Sequence, residues 1–226
     1  MAIPLLEAID IEGKTISADA LLTQRRLARY LVKDRQAHYH FTVKGNQSQL
    51  LEDITLYFQD RQEPHAVTVD FDHGRIETRK IWVTTELNDY LDFPHVGQAF
   101  VVERERFDKK TRKTSTETAY GITSRTPDQA DAEHVLKTNR SHWCIENSCH
   151  YIIDWNYDED RSRIRTGHGP ENITRLRRFA VGLIKSKSVV SVAQKMRMLA
   201  MNPRAVLDLL RMTDNTRIRR SAAGCK

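Results

Sequence analysis

Residues 14–20, KTISADA, and residues 38–46, HYHFTVKGN, flank a helix-forming stretch, and the way these two runs pair decides the fold class. In the first, Ile16 and Ala18 alternate with Thr15, Ser17 and Asp19, the period-two pattern of a strand whose polar side ends in a carboxylate. Thr23 stands where a helix cap is expected, and Leu27, Tyr30 and Leu31 follow at helical spacing. The second run is rich in strand formers and is stopped by Gly45-Asn46. Strand, helix and strand in that order predict a β-α-β unit with a parallel pair, hence an α/β fold. Ser48 is placed to cap a further helix through Phe58 that returns along the sheet.

Outward from this unit the texture changes at Ala66. VTVDF, RKIWVTTE, AFVVERERF and ETAYGITS are β-branched and alternating, joined by DHG and by the charged DKKTRKT, and they read as a β-rich insertion. Prolines at 64, 94 and 127 mark loops at its ends and middle. After Pro127 the spacing predicts helices over 128–138, 141–155, 171–187, 189–201 and 204–211. Three parts are therefore expected: 1–65, an α/β core; 66–126, the β-rich insertion; and 127–226, a helical part carrying Glu146 and basic terminal helices.

The chain's 226 residues, 39% of them hydrophobic, are enough to bury one sizeable core. No segment approaches the roughly 18 consecutive apolar residues of a membrane helix, and MAIPLLEAIDIEGK lacks the basic-then-apolar pattern of a secretory leader, so a cytoplasmic protein is expected. Three cysteines, Cys144, Cys149 and Cys225, are too few for a disulfide framework and read as free thiols. The net charge of +6 is unevenly spread: residues 160–226 hold 16 Lys/Arg against 4 Asp/Glu, and the remainder holds 20 against 26. A cationic tail suits phosphates and predicts salt-sensitive binding to nucleic acid; a solvated basic helical surface has the same composition.

Two acids are placed for chemistry. Asp19 ends a strand, and the carboxyl ends of strands in open α/β sheets are where ligands collect. Glu146 lies in RSHWCIENSCHYIID (140–154), where helical periodicity sets His142, Glu146, His150 and Asp154 along one side of a stripe of Ile145, Cys149 and Ile152. A carboxylate at a strand end and another on a helix packed against the sheet suit a two-metal phosphodiester site, because hard divalent ions take oxygen ligands and carboxylates bridge them. At the level of residues alone, a turn-capping Asp19 and a Glu146 paired with a surface Arg fit equally. Zinc fits poorly, since on one helix Cys144 and Cys149 point about 140° apart and do not converge on a tetrahedral ion.

ISADALLTQ at 16–24, VKGNQ at 43–47, HGRIETR at 73–79, and HWCIEN at 142–147 followed by His150, Asp154 and DEDRSRIR at 158–165 resemble the H-repeat-associated insertion-sequence transposases. The motifs run in order over nearly the whole chain. This resemblance implies membership of the DDE superfamily, with an RNase H-like core and a β-strand insertion before the helix bearing the final Glu. Asp19 would be the second catalytic carboxylate and Glu146 the third, both metal ligands, holding two Mg2+ or Mn2+ ions in the intact parent site. The family's first carboxylate lies on an earlier strand followed by Gly-Lys. Asp10 in IDIEGK imitates that pattern, but the segment reads as a loop leading into the Asp19 strand.

The resemblance thus implies a carboxy-terminal portion of a transposase with an incomplete core, the first strands missing. Broader relatives place Tyr, Arg and Lys at fixed offsets from the last Glu, and here those offsets hold Asn139, His142 and Ile153. The residues expected to meet DNA are Lys44 and Asn46 at the strand end, Arg140, His142 and His150 around the last acid, and Arg163 and Arg165 downstream. The expected activity is DNA strand cleavage and strand transfer at insertion-sequence ends, with a homodimer in a synaptic complex. The competing expectation is a catalytically inactive, DNA-binding or oligomerising remnant.

Overall fold

A computed structural model describes residues 2–72, 74–145, 151–187 and 191–213. The chain divides into two units, Met1–Trp143 and Cys144–Lys226.

The first unit opens with a short helix, α1 (Ala2–Glu7), where no helix is expected from the sequence. Strand β1 (Thr15–Ala18), helix α2 (Arg25–Arg29) continued by a π turn over Tyr30–Asp34, and strand β2 (His38–Val43) form the expected β-α-β unit. β1 and β2 are parallel, with Thr15 beside His38 and Ala18 beside Phe41. Helix α3 (Ser48–Tyr57) follows, with Gln47 rather than Ser48 at its cap position. Thr23 does not cap α2 either, because Gln24 holds that position. Its side chain is drawn inward instead, for a reason that concerns the site.

Four long antiparallel strands come next: β3 (Ala66–Asp72), β4 (Arg75–Thr84), β5 (Gln98–Asp108) and β6 (Lys113–Thr123). They do not close on themselves as a separate body. β6 pairs antiparallel with β2, His40 beside Thr123 and Val43 beside Tyr120, so one mixed sheet runs β1-β2-β6-β5-β4-β3. The part expected over 66–126 therefore shares its sheet with the part expected over 1–65. Alternation along a strand reports its two faces but not its neighbour, and β2 needed a partner for its second row of peptide groups.

The sheet is covered on both sides. On one face Tyr39, Phe41, Val43, Trp82, Ala99, Val101 and Ile122 pack with Leu27, Ala28 and Leu31 of α2 and its extension, Leu50 and Ile54 of α3, and Leu87, Leu91 and Phe93 of the loop before β5. On the other, Ile81, Phe100 and Val102 pack with Val135 and Leu136 of helix α4 (Ala132–Ile145). Each large apolar side chain so buried contributes about 1.5–3 kcal/mol. Gly121, beside Phe100 in the β5–β6 register, makes room for that ring, since a Cβ there would lie 2.2 Å from it and 2.7 Å from the Phe41 carbonyl oxygen. α4 is a single helix through Ser141, where the sequence suggested a break. Asp131 starts it by accepting a hydrogen bond from the His134 amide at 2.8 Å.

The second unit is helical: α5 (Tyr151–Tyr157), α6 (Gly169–Lys185), α7 (Val192–Met201) and α8 (Pro203–Leu209). α5 packs on α6 and α7, α6 on α7, and α7 on α8. Ser191 and Asn202 cap α7 and α8 by accepting from the amides of Gln194 and Ala205. Ile153, Val181, Ile184 and Val192 are its buried apolar residues. No helix among the described residues is long and apolar enough to cross a membrane.

Candidate active site

Asp19 sits where β1 gives way to a 3-10 turn over Ala20–Leu22, with extended backbone (φ −73°, ψ 175°) and an exposed side chain. Its carboxylate makes no cap hydrogen bond and has no ion-pair partner among the described residues. Everything around it is tied down. Thr23 is fully buried, its hydroxyl donating to the Thr42 carbonyl of β2 at 2.7 Å, with the Asp19 carbonyl 3.3 Å away. Asn46 donates its side-chain amide to the Ala20 carbonyl at 2.6 Å, and Gln47 donates to the Thr23 carbonyl at 2.9 Å. The turns leaving β1 and β2 are thereby stitched together, and the Asp19 carboxylate is held on a rigid mount with its acceptor capacity unused.

The alternation along β1 carries Asp19 to the same side as Ser17. Ser17 Oγ is 3.1 Å from His142 Nδ1 of α4, so the helix that leads into Glu146 is fastened to the strand that ends at Asp19. Next to Ser17 in the register, His40 is 3% exposed and its ring stacks on Phe100 with centroids 4.6 Å apart. Burial pushes the His40 imidazole down to about 3, with His142 and His134 on α4 adding to the effect; it is a neutral spacer between sheet and helix. Its Nε2 has no hydrogen-bond partner among the described residues. Gln98, 1% exposed, fixes the approach to α4 by donating to the carbonyls of Arg125 and Ala130 at 3.0 and 2.9 Å. Arg125 reaches back to β1, donating to Thr15 Oγ1 at 2.7 Å and to the Gly13 carbonyl at 3.0 Å. Burial and the nearby Arg125 charge lower the pKa of His38.

Glu146 and His150 lie outside the described residues, as do Cys149 and Cys225. No group of three or more His, Cys, Asp or Glu side chains that could hold a metal ion occurs among the described residues.

The family described as transposase DDE domain matches residues 1–181. The chain belongs to that family. The matched stretch takes in the whole sheet unit and continues into α6. Among curated proteins, this transposase-family chain is 30% identical over 216 residues to the "Putative transposase YncI" of Escherichia coli O157:H7, covering 89% of the chain and 54% of that protein. It is 28% identical over 216 residues to the "H repeat-associated putative transposase YhhI" of Escherichia coli (strain K12), covering 89% and 56% respectively. A Xanthobacter autotrophicus protein described only by its place in the dhlA 3' region is 38% identical over 136 residues, 56% of the chain and 45% of that protein. The chain spans about half the length of the curated relatives it matches.

The structure brings Asp19, Asn46 and His142 of this transposase-family chain into one neighbourhood through Ser17, Ala20 and Thr42. Lys44 is exposed beside them. Arg140 points elsewhere: its guanidinium pairs with Asp70 of β3 at 2.9 Å. Arg163 and Arg165 are exposed between α5 and α6, Arg165 donating to the carbonyl of the adjacent Ile164. Sequence reasoning missed the supporting residues Ser17, His40, Gln98 and Arg125, and it misread Thr23. Ser17's place on the polar side of β1 was the one advance signal, since a polar side facing a helix must find partners there.

Proposed function

We propose that this transposase-family chain supplies two carboxylates, Asp19 and Glu146, to a divalent-metal site for DNA strand cleavage and strand transfer at insertion-sequence ends, carried on an RNase H-like sheet. The observation that carries the reading is Asp19: a carboxylate at the carboxyl end of a parallel strand, exposed and without a partner among the described residues, while Thr23 and Asn46 beside it are hydrogen-bonded. A free hard-oxygen donor on a rigid mount is what Mg2+ or Mn2+ selects. Asp19 fits such an ion as one ligand, Glu146 is assigned as another, and a further carboxylate completes the set. Bound ions supply Lewis acidity to the scissile phosphate and acidify the attacking water or 3'-hydroxyl.

The chain's own residues do the positioning. Thr23, Asn46 and Gln47 hold the Asp19 turn, and the Ser17–His142 contact holds α4 against β1 ahead of Glu146. Exposed cations of the second unit, Arg163, Arg165, Arg178, Arg197 and Arg204, are assigned to the DNA backbone. Lys44 is assigned the same role beside Asp19.

Metal-dependent nicking of duplex DNA carrying the element's ends, by the chain joined to the upstream strands that bear the family's first carboxylate, tests this reading. Asp19→Asn and Glu146→Gln should each lower the rate by about 100-fold or more. Nicking that survives the double substitution overturns it. A second reading, DNA binding without cleavage, rests on the exposed cations of the second unit alone. It expects salt-sensitive DNA binding and no nicking in either metal.

A further inference from the structure

The two ends of the sheet are not equally protected. β1 is four residues long, and Arg125 lies over its first residue and the approach to it. β3 at the opposite end is seven residues long, AVTVDFD, with no Lys, Arg, Pro or Gly and no bulge in its register with β4. Such interruptions are the usual means by which edge strands discourage pairing. β3 bonds to β4 on one side only, and among the described residues no backbone hydrogen bond leaves its other side. Its side chains on one face are exposed and apolar: Val67 at 48%, Val69 at 49% and Phe71 at 70%. On the other face Thr68 Oγ1 is buried without a hydrogen-bond partner among the described residues.

We propose that β3 is a self-association edge, pairing antiparallel with β3 of a second copy of this chain about a two-fold axis at Val69. This goes beyond the assigned strand-transfer chemistry and does not depend on it. The occupant follows from the side chains. Centring on Val69 overlaps all seven residues of both strands, and it is the register in which like meets like. Val69 faces the partner's Val69, and Val67 faces the partner's Phe71, so six apolar side chains form one ribbon. On the opposite face, Thr68 comes beside the partner's Asp70, a neutral side chain against an acid already paired with Arg79 and Arg140. Centring one residue later, at Asp70, would set two carboxylates against each other. The isologous pairing satisfies both exposed edges at once and closes, as a two-fold interface must.

The full chain should sediment at twice its 26.2 kDa mass at tens of micromolar, a concentration range set by the modest size of a strand-pair interface. Val69→Lys places two like charges on the axis and should weaken dimerisation by at least about tenfold. Val69→Cys supplies the complementary test: antiparallel pairing sets the Cα atoms of facing residues about 4.5–5.5 Å apart, within disulfide reach. Mild oxidation should then join the two substituted positions, identified by peptide mass analysis, whereas Val67→Cys should yield no bond between its two substituted positions. A chain that stays monomeric at 100 µM, on the order of the highest practical concentration, overturns the proposal. So does a dimer indifferent to Val69→Lys that forms no such disulfide, and so does association with foreign polypeptide only.

Discussion

At the β1 end of the sheet a carboxylate is left free while the peptide groups around it are tied. At the β3 end acids are held in ion pairs: Asp70 pairs with Arg79 at 2.7 Å and Arg140 at 2.9 Å, and Glu77 pairs with Arg79 at 2.7 Å. One sheet thus carries two kinds of acid. Paired acids hold elements together, Asp70 joining β3 to α4, whereas an unpaired acid on a rigid mount contributes little to folding and is available to a ligand.

The contrast breaks first if the two acids respond alike to substitution. Asp19→Asn should abolish metal-dependent nicking while shifting stability by no more than about 0.5 kcal/mol, the range for exposed unpaired positions. Asp70→Asn should leave any nicking intact and cost about 1 kcal/mol, because the pair with Arg79 is only part-buried and is screened by solvent. Chemical denaturation and a nicking assay on both variants decide it.

Phe100→Ala tests whether the packing under α4 holds the region together. Removing a fully buried ring should cost about 3–5 kcal/mol and loosen the His40 stack, read as a lower denaturation midpoint.

A pH series sharpens the comparison further. The folded His40 pKa, about 3, lies below the 6.5 of a free imidazole. Between those values the unfolded chain binds a proton that the folded chain refuses, so this contribution to stability is complete above pH 6.5 and falls as pH drops. At about 1.4 kcal/mol per pH unit, roughly 2 kcal/mol should go between pH 7 and 5. His40→Leu should flatten that slope, and an unchanged slope would remove His40 as its cause. Thr23→Val should cost about 1–2 kcal/mol for leaving the Thr42 carbonyl without its buried donor, measured by thermal melt.

The β-α-β unit and the four long strands are written in local periodicity, and their types and approximate limits are legible in residues 14–46 and 66–124. How the strands neighbour one another is not. That β6 rather than β3 lies next to β2 depends on Gly121 admitting Phe100 and on which edge remained open, both non-local facts. Thr23 shows the same limit at one residue: its position suits a helix cap, but a hydroxyl within reach of the Thr42 carbonyl in a closed core is held there instead. Asp19 was legible because strand alternation ends on it. Its support from Asn46, and the tie from Ser17 to His142, cross 26 and 125 residues and leave no trace in local pattern.

The central claim is that Asp19 and Glu146 share bound metal, and Mn2+ titration of the chain followed by electron paramagnetic resonance, with a double-substitution cycle, tests it most directly. Asp19→Asn and Glu146→Gln should each reduce Mn2+ binding to the level of the double variant, since an ion that needs both carboxylates is lost with either one. Additive losses, or Mn2+ binding unchanged by either substitution, would contradict the account.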